Sequence, residues 1–415
     1  MRPKAPRLLV LIVNYPPDRA GGASVYGDMC QGLAAQGFDV TVRCAYPYYP
    51  EWKDKSGRNG WRIWRYQDAA VSVERYGLFI PRQPRAVWQR ILHEASIFLS
   101  FFRGLPSMRR FDLVMAYCPA VSTVAVGACA ALLFRKPLWL NVQDLAAQAA
   151  VGSGVVRAAW LGRAMVWLQS VLFNRAQTWS TISPVMQEAL APMRTRNQPL
   201  LMLPNWSNAS LTQCIREQPP REPGVSRPLR VLYAGNIGAK QNLVRLLTAF
   251  SQTDLDFCFR VHGSGAHADS VADWVRQAQD PRFELGEFLD EPGFAGALAW
   301  ADWFVISEAP DAEASFMPSK LIPAITAGLP ILAICSAHSP LGREVREQAL
   351  GVHLEWGDIG RLAQIWPQLE SPEGHAQYSA NATKRAQSYD RDRLIEAFAQ
   401  GLNSLLHRPD KPAVD

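Results

Sequence analysis

The stretch LRVLYAGNIGAKQNLVRLLTAF, Leu229–Phe250, contains the pattern that decides the fold class. Its first seven residues are typical of a buried strand, and NLVRLLTAF has the spacing of a helix. The loop between them, GNIGAK, contains two glycines and one lysine. Glycine allows a close backbone approach, the N-terminus of a helix offers free N–H groups, and lysine adds charge, so this loop suits an anion. It has neither the Walker A spacing nor that of a dinucleotide-binding loop, and an ordinary strand–helix turn is the alternative.

Strand and helix patterns alternate on both sides of this stretch, in two separate runs. Helical spacing falls between several of the strands, which indicates parallel α/β units that bind ligands at the carboxyl ends of their strands. The predicted strands of the first run are Leu8–Val13, Asp39–Cys44, Asp112–Tyr117, Pro137–Gln143, Thr178–Ile182 and Leu200–Leu203. Those of the second run are Leu229–Tyr233, Asp256–His262, Phe283–Gly286, Trp303–Ile306 and Ile331–Ile334.

These two runs predict two Rossmann-like domains with doubly wound parallel sheets. We expect the first domain at residues 1–206 and the second at residues 229–390. A segment rich in Ser, Pro and Asn, residues 207–228, reads as the linker. We expect a last helix at residues 391–407 to cross back to the first domain. Two such domains joined by a linker leave a cleft, which is a usual place for a ligand.

Charge is distributed unevenly along the chain. Residues 1–205 hold 24 basic and 11 acidic residues, whereas residues 206–415 hold 19 and 26. The basic half also carries aromatic residues among its arginines, as in WRIWRY and VWQRILHEASIFLSFFRGLPSMRR. Such a pattern suits a membrane interface or single-stranded nucleic acid, and a solvated face over an ordinary core helix is the third possibility.

Cysteine content and hydropathy bear on the location of the protein. The chain has seven cysteines, an odd number, and their spacing matches no metal site. This favours reduced thiols in a cytosolic protein. The most apolar stretch, PAVSTVAVGACAALLF at Pro119–Phe134, has only 16 residues. It is too short to span a bilayer and lies between two predicted strands, so we interpret it as a buried crossover helix.

Several motifs, in order along the chain, resemble those of one enzyme family. They are NYPPDRAGGASVYGDMCQGLAAQGFDVTV, PYYPEW, LFIPRQP, LNVQDL, STISPVM, PNWSN, AGNIGAKQN and MPSKLIPAITAGLPI. Together they resemble the retaining glycosyltransferases of family 4, which have the GT-B fold, and among these the colanic-acid-type fucosyltransferases. The resemblance implies sugar transfer from a GDP- or UDP-linked donor to a polyprenyl-diphosphate-linked saccharide in exopolysaccharide synthesis. It implies no metal, no further cofactor and no nucleic acid, and a cytoplasmic enzyme peripherally bound to the membrane.

The resemblance assigns the glycine-rich loops to the donor. It places Gly21 and Gly22 near the donor phosphate and the acceptor. It places the diphosphate against Gly235, Asn236 and Gly238. Asn236 stands about where an arginine is usual in the family, which leaves Lys240 as the cation that balances the leaving diphosphate. The turn HGSGA adds Gly263 and Gly265, near the nucleotide base.

Further site residues follow from two other motifs. Ser319 and Lys320 are expected to reach the ribose or a phosphate, while Pro323 replaces the glutamate that grips the ribose in many relatives. Either Glu308 or Glu313 faces the donor sugar, and a solvated acidic loop is the alternative for both.

Gln143 and Asp144 should point into the cleft from the end of a strand. Gln143 stands where many relatives have histidine, so it can form hydrogen bonds but cannot titrate. The resemblance makes this tolerable, because in a retaining enzyme of this type the departing phosphate itself is thought to take the proton.

Two other functions are compatible with this fold. One is a sugar-nucleotide epimerase, although Gln143 lacks the titratable group that such an enzyme needs. The other is a catalytically silent binding or scaffold protein. Pro323 and Gln143 suggest it, because both replace residues that are usual in the family. Slow release of the nucleoside diphosphate without acceptor would favour the transferase.

The basic N-terminal half also predicts an interaction surface. We expect Ala86–Arg110 to contact anionic lipid, with Ile91, Phe98, Phe101 and Phe102 as apolar contacts between arginines. In the competing interpretation these apolar residues face the domain core and only the arginines meet solvent.

Overall fold

The computed structural model describes residues 5–18, 22–49, 51–58, 60, 62–83, 86–144, 159–219, 225–310 and 317–407 of the 415 residues. The chain divides into two compact units, one formed by residues 1–204 with 392–415 and the other by residues 205–391. Each unit is a parallel-sheet α/β domain. No helix among the described residues has both the length and the apolar content needed to cross a bilayer.

The first unit is built on an eight-stranded sheet, counted over its described residues. Its strands are β1 Arg7–Leu11, β2 Asp39–Ala45, β3 Trp64–Asp68, β4 Val71–Tyr76, β5 Leu113–Cys118, β6 Leu138–Val142, β7 Thr178–Thr181 and β8 Leu200–Met202. They are ordered β3-β4-β2-β1-β5-β6-β7-β8, and only the β3–β4 pair is antiparallel. Its helices up to residue 204 are α1 Ala23–Ala35, α2 Val87–Phe102, α3 Val121–Phe134, α4 Ala159–Phe173 and α5 Pro184–Leu190.

The second unit contains a six-stranded parallel sheet. Its strands are β9 Leu229–Asn236, β10 Phe257–Ser264, β11 Phe283–Gly286, β12 Trp303–Ser307, β13 Ile331–Ile334 and β14 Gly351–Leu354. Its helices are α6 Ala209–Arg216, α7 Leu243–Ser251, α8 Ala268–Ala278, α9 Glu291–Trp300, α10 Leu321–Thr326, α11 Pro340–Glu347, α12 Leu362–Leu369 and α13 Pro372–Ala386. The order β11-β10-β9-β12-β13-β14 reverses its direction at β9, and ligands of such sheets bind beyond the carboxyl ends of the strands at this point.

Sequence explains the central strands of the first sheet. The middle of β1 and β5 is an unbroken apolar run with no solvent exposure, as in Leu8–Leu11. A strand covered by helices on both faces has this composition, because neither face can tolerate polar residues. Helices that follow these strands therefore contribute their apolar sides to the same cores.

The last helix, α14 Arg391–Leu406, belongs from residue 392 onward to the first unit. The Phe398 ring lies 5.8 Å from the Trp139 ring of β6, measured between centroids. Gly32 of α1 and Ile395 are so close that a Cβ at residue 32 would lie 2.3 Å from the Ile395 Cδ1 atom. The first unit is thus assembled from two separated parts of the chain.

The predicted linker, residues 207–228, is wrong over part of its length, because it contains helix α6. The Asn208 side chain accepts a hydrogen bond from the Leu211 N–H and donates one to Glu291. Leu211 and Ile215 are buried in the core of the second unit. The apolar residues that contact the core occur only once per turn among polar residues. The composition of the segment therefore gave no indication of a helix.

The sequence analysis also missed the hairpin β3–β4. Part of the predicted membrane cluster lies in it: the Trp64 ring is 4.1 Å from the Arg58 guanidinium, and the Tyr66 hydroxyl accepts a hydrogen bond from Arg75. These aromatic rings have partners within the first unit. The segment WRIWRY therefore includes an edge strand, and a membrane role for this segment stays a prediction.

Candidate functional site

Two glycine-rich turns meet at the carboxyl edge of the second sheet. Gly235, at the end of β9, lies opposite Gly263, near the end of β10. A Cβ atom at residue 263 would lie 1.9 Å from the Gly235 carbonyl oxygen, and one at residue 265 would lie 2.4 Å from the Ile237 oxygen. Both positions therefore require glycine. The predicted site glycines of the second unit form one continuous backbone surface.

A glutamine side chain holds the loop after β9 in place through hydrogen bonds. The Gln241 Oε1 atom accepts hydrogen bonds from the Gly238 N–H at 3.0 Å and from the Asn236 amide at 3.2 Å. Gln241 ends a short 3₁₀ turn that precedes α7, so the loop is not directly followed by the α-helix. Sequence analysis missed this residue, although a glutamine three residues after Gly238 is a capping signal.

Lys240 lies on the same 3₁₀ turn, with its side chain exposed. Its carbonyl oxygen accepts a hydrogen bond from the Ala309 N–H at 2.6 Å, which ties the turn to the segment after β12. The predicted diphosphate cation is thus placed on the rim of the glycine surface. Ser319, the predicted ribose contact, is also exposed.

Lys320 occupies a different environment from Lys240. Its Nζ atom lies 2.9 Å from the Tyr233 hydroxyl and 4.1 Å from the centroid of that ring. A Cβ added to Gly235 would lie 3.4 Å from the same Nζ atom, so the amine is directly behind the glycine surface. Burial lowers the pKa of Lys320 to about 7, and the carboxylate of Glu308 opposes this shift only in part.

Tyr233 connects this lysine to the loop. Its ring is fully buried, and its hydroxyl donates a hydrogen bond to the Asn236 carbonyl oxygen at 2.5 Å. The same hydroxyl can accept one from Lys320. Tyr233 was not predicted as a site residue, because its partner is 87 positions away and no local pattern marks the pair.

Glu308 follows β12 and is buried. Burial raises the pKa of its carboxyl group, while a hydrogen bond from Ser339 and the charge of Lys320 lower it. Within the described residues, its Oε2 atom is buried and has no hydrogen-bond partner. Such an atom is costly unless a ligand satisfies it. The structure therefore places Glu308 with Lys320 and the glycine turns, whereas Glu313 lies outside the described residues.

The predicted residues of the first unit lie after two strands. Gly22 precedes α1 with φ 78°, and a Cβ there would overlap the Tyr26 ring. Gln143 follows β6, is buried and donates a hydrogen bond to the Asn141 Oδ1 atom at 2.6 Å. Asp144 is half-buried, and its backbone oxygen accepts a bond from the Cys118 thiol. Gly21 lies outside the described residues.

Asp18 is a further buried acid at this edge of the first sheet, which sequence analysis did not select. Its carboxylate accepts hydrogen bonds from the Asn14 amide and the Tyr49 N–H, both at 3.3 Å. Burial raises its pKa, and these two bonds act in the opposite direction. Its place in the motif NYPPD, separated from the glycine pair by two residues, was the available signal.

A cavity of about 300 Å³ opens on the first unit. Its lining includes Tyr46, Arg58, Phe79 and Ser96, the last contributed by α2. The lining also includes Asp54, so one cationic, one anionic and two hydroxyl side chains beside apolar residues could orient a polar ligand. Among the described residues, no three His, Cys, Asp or Glu side chains gather in the manner of metal ligands.

Comparisons with known proteins agree with this architecture. Residues 20–206 match the model of the glycosyl transferase 4-like domain family. The chain is 26% identical, over 349 residues, to a protein of Escherichia coli strain K12 named as a colanic acid biosynthesis glycosyl transferase, WcaI; the match covers 81% of this chain and 85% of WcaI.

Two solved structures resemble nearly the whole chain. Sucrose-phosphate synthase of Thermosynechococcus elongatus matches with a TM-score of 0.68 and 16% identity, over 96% of this chain and 99% of that one. HepE of Anabaena, in complex with UDP, matches with a TM-score of 0.65 and 16% identity, over 96% and 100%. The chain therefore has the GT-B fold of these structures, and its residues 20–206 match the glycosyl transferase 4-like domain.

Proposed function

We propose that the chain moves a sugar from a nucleoside-diphosphate donor to a lipid-linked saccharide, with retention of configuration and without a metal ion. The observation that carries this proposal is the glycine surface of the second unit, with the Lys320 amine directly behind Gly235. A ligand with a diphosphate group would meet backbone N–H groups, a buried amine and the exposed Lys240 at one edge of the sheet.

Lys320 suits the chemistry of a departing diphosphate. Negative charge on the leaving group grows as the glycosidic bond breaks, and a positioned cation stabilises it most at that stage. The buried amine is held by Tyr233, so it needs little reorganisation. We assign it the charge balance together with Lys240, and no metal ion is required in this scheme.

Glu308 is proposed to bind the transferred sugar. Its unpartnered carboxyl oxygen can form a hydrogen bond with a sugar hydroxyl, which would remove the cost of leaving that atom unsatisfied. We keep Gly22, Gln143 and Asp144 as proposed contacts of the first unit with the donor sugar or the acceptor. The cavity lined by Arg58 and Tyr46 is proposed for a polar part of the acceptor.

The substrates proposed here draw on the similar proteins. WcaI is named for colanic acid biosynthesis, which supports a role in a cell-surface polysaccharide. The sequence resemblance to colanic-acid-type fucosyltransferases makes GDP-fucose the first donor to test. The complex of HepE contains UDP, which makes a UDP-sugar the second. A polyprenyl-diphosphate-linked acceptor would require this enzyme to work at the cytoplasmic face of a membrane.

Release of the nucleoside diphosphate from candidate donors tests the proposal. We expect slow release from one donor without acceptor, unchanged by EDTA, and its loss in Glu308→Gln. The matched control is Glu373→Gln, an exposed glutamate of α13. Anomeric NMR of the product with acceptor then checks retention. Binding of nucleotides without turnover of any donor would contradict the proposal and favour a binding protein.

A further inference from the structure

Helix α2 presents its more apolar side to solvent. Its exposed large apolar side chains are Val87, Trp88, Ile91, Leu92, Leu99 and Phe102. Its buried residues are Gln89, His93, Ile97, Ser100 and Phe101, of which three are polar. At 100° per residue the exposed set occupies one continuous side of the helix. A surface helix normally has the opposite arrangement, so this side lacks a partner within the described residues.

The polar residues beneath α2 fix this orientation. The His93 ring bonds to the Tyr48 hydroxyl at 3.0 Å and to the Phe79 carbonyl oxygen at 2.6 Å. Ser100 donates to the Gly77 carbonyl oxygen, and Gln89 accepts from the Gln83 N–H. Rotating the helix to bury its apolar side would break these bonds. The exposure of Trp88 (60%) and Ile91 (63%) is therefore built into the fold.

Two neighbouring helices extend the apolar surface. Helix α3 packs against both α2 and α4. Leu132 and Leu133 are exposed at the end of α3, and Trp167 and Leu168 are exposed on α4, with Trp167 at 66%. We call the exposed apolar residues of these three helices the apolar ridge. Exposed apolar residues gathered on helices that pack together indicate an interaction site.

The charge around the apolar ridge is basic. Residues 82–136 hold eight basic and two acidic residues. The acidic residues are both engaged: Glu94 accepts hydrogen bonds from Ser122, and Asp112 pairs with Arg7. Arg90, Arg103 and Arg135 are exposed. Arginines beside tryptophan, leucine and isoleucine match the boundary of an anionic bilayer, where rings and aliphatic chains enter the lipid and guanidinium groups meet phosphates.

We propose that the apolar ridge docks on an anionic lipid bilayer, with α2 lying in the plane of the interface. The assignment deepens the proposed function and rests on it for the acceptor, which would be embedded in the same bilayer. The cavity lined by Ser96 of α2 adjoins this helix, so a lipid-linked saccharide could reach it from the docked face. The competing interpretation, in which the apolar residues of α2 face the core, holds for the buried Ile97 and Phe101 and in part for Phe98, which packs against the core. The prediction of Phe101 as a lipid contact is therefore wrong.

Vesicle flotation tests the docking surface. We expect the protein to bind vesicles of phosphatidylglycerol mixed with phosphatidylethanolamine. Binding to phosphatidylcholine vesicles should be weaker, and anionic binding should fall as salt rises, because the Debye length is only about 8 Å at physiological ionic strength. Trp88→Glu with Ile91→Glu should weaken anionic binding by about tenfold or more. The matched control is Phe288→Glu, an exposed aromatic residue of the second unit at 69% exposure, and it should bind as the parent does.

Two further measurements separate the possible failures. Release of the nucleoside diphosphate from a soluble donor should be unchanged in the α2 variant, because both residues belong to the first unit and the proposed diphosphate site belongs to the second. If the α2 variant loses docking but releases the nucleoside diphosphate normally, the proposed function is unaffected. If the parent protein releases no nucleoside diphosphate, the proposed function is contradicted and the docking proposal is not. Hydrogen exchange should show protection of α2 on vesicles and none of α8. Equal binding by the α2 variant, or a dimer of the parent that this variant dissociates, would overturn the lipid assignment.

Discussion

The pKa of Lys320 is suited to a negatively charged ligand. Burial holds its pKa at about 7, so near neutral pH the amine is only partly charged in the free enzyme. A bound diphosphate would favour the ammonium form, because two opposite charges would then lie close together in a site of low polarity. Protonation of the amine should therefore accompany binding of the ligand.

The first prediction measures that proton. At about pH 8.5 the free amine is mostly neutral, so binding of a nucleoside diphosphate should take up as much as about one proton. Calorimetric titration in two buffers with different ionisation enthalpies gives the number directly. Lys320→Met should abolish the uptake, while Lys384→Met, on α13, should retain it. Equal uptake in parent and Lys320→Met would place the titrating group elsewhere.

The same shift predicts a dependence of stability on pH. The folded pKa of Lys320 is depressed to about 7, whereas the unfolded chain keeps the ordinary value near 10.4. Between these values the unfolded state binds more protons, so this group makes stability rise with pH and is least favourable below about pH 7. Lys320→Met should therefore raise the melting temperature most at neutral and acidic pH, and an unchanged difference from pH 6 to about 10 would contradict this.

Gly263 gives a prediction about backbone proximity. Gly263→Ala places a methyl group 1.9 Å from the Gly235 carbonyl oxygen, so the two strand ends must separate. We expect a loss of about 1–3 kcal/mol in the free energy of unfolding and a loss of donor binding. Gly296→Ala, in α9 with nothing within 4 Å of the new methyl, should be neutral or stabilising. Urea unfolding of both variants makes the comparison, and equal stabilities would refute the close approach.

At the scale of elements, sequence periodicity predicted strands more reliably where both faces are buried. The central strands β1, β5, β9 and β12 were predicted because each is an apolar run followed by a helix. The hairpin β3–β4 was missed, since β3 alternates half-buried and exposed residues at the edge of the sheet. Helix α6 was missed because it buries only two large side chains, Leu211 and Ile215.

The residues of the candidate site also differ in how well the sequence predicted them. Glycine turns after strands are local patterns, and the sequence predicted Gly235, Gly238, Gly263 and Gly265. Contacts that join distant elements leave no such pattern. Tyr233 forms a hydrogen bond with Lys320, which lies 87 positions further along the chain. The lack of a hydrogen-bond partner for the Glu308 Oε2 atom depends on the packing of β12 against α11. Sequence alone left Glu308 and Glu313 equivalent for this reason.

Helix α6 supports a prediction of its own. Asn208 caps its N-terminus and also bonds to Glu291 of α9. Asn208→Ala should lower the free energy of unfolding by about 1 kcal/mol, in the range of helix caps. Asn403→Ala, at an exposed position inside α14, should be neutral or slightly stabilising. Chemical denaturation measures both, and a neutral Asn208→Ala would mean that the helix does not need its cap.

At the scale of the whole molecule, the first unit depends on a distant part of the chain. Ile395, Phe398, Leu402 and Leu405 of α14 are buried in it. Full burial of such side chains contributes about 1.5–3 kcal/mol each, a sum comparable to the stability of a whole domain. Ending the chain after Asp390 should therefore unfold the first unit, whereas ending it after His407 should not.

Limited proteolysis and hydrogen exchange can follow each unit separately in these two truncations. We expect β5 and β6 to lose protection in the shorter chain, while β9 and β12 of the second unit keep theirs. A shorter chain with full protection of β6 would show that α14 contributes little to the first unit.

The two-part construction of the first unit also has a consequence during synthesis. A ribosome makes residues 1–204 early, yet the helix that completes their core emerges only after the whole second unit has been translated. The nascent chain must therefore keep the groove around Trp139 uncovered while it folds a complete neighbouring unit, which is an interval for chaperone capture. Translation errors that stop the chain late would release a polypeptide with a finished second unit and an unfinished first one. Such a product would expose the apolar side chains around Trp139 that α14 covers in the longer chain.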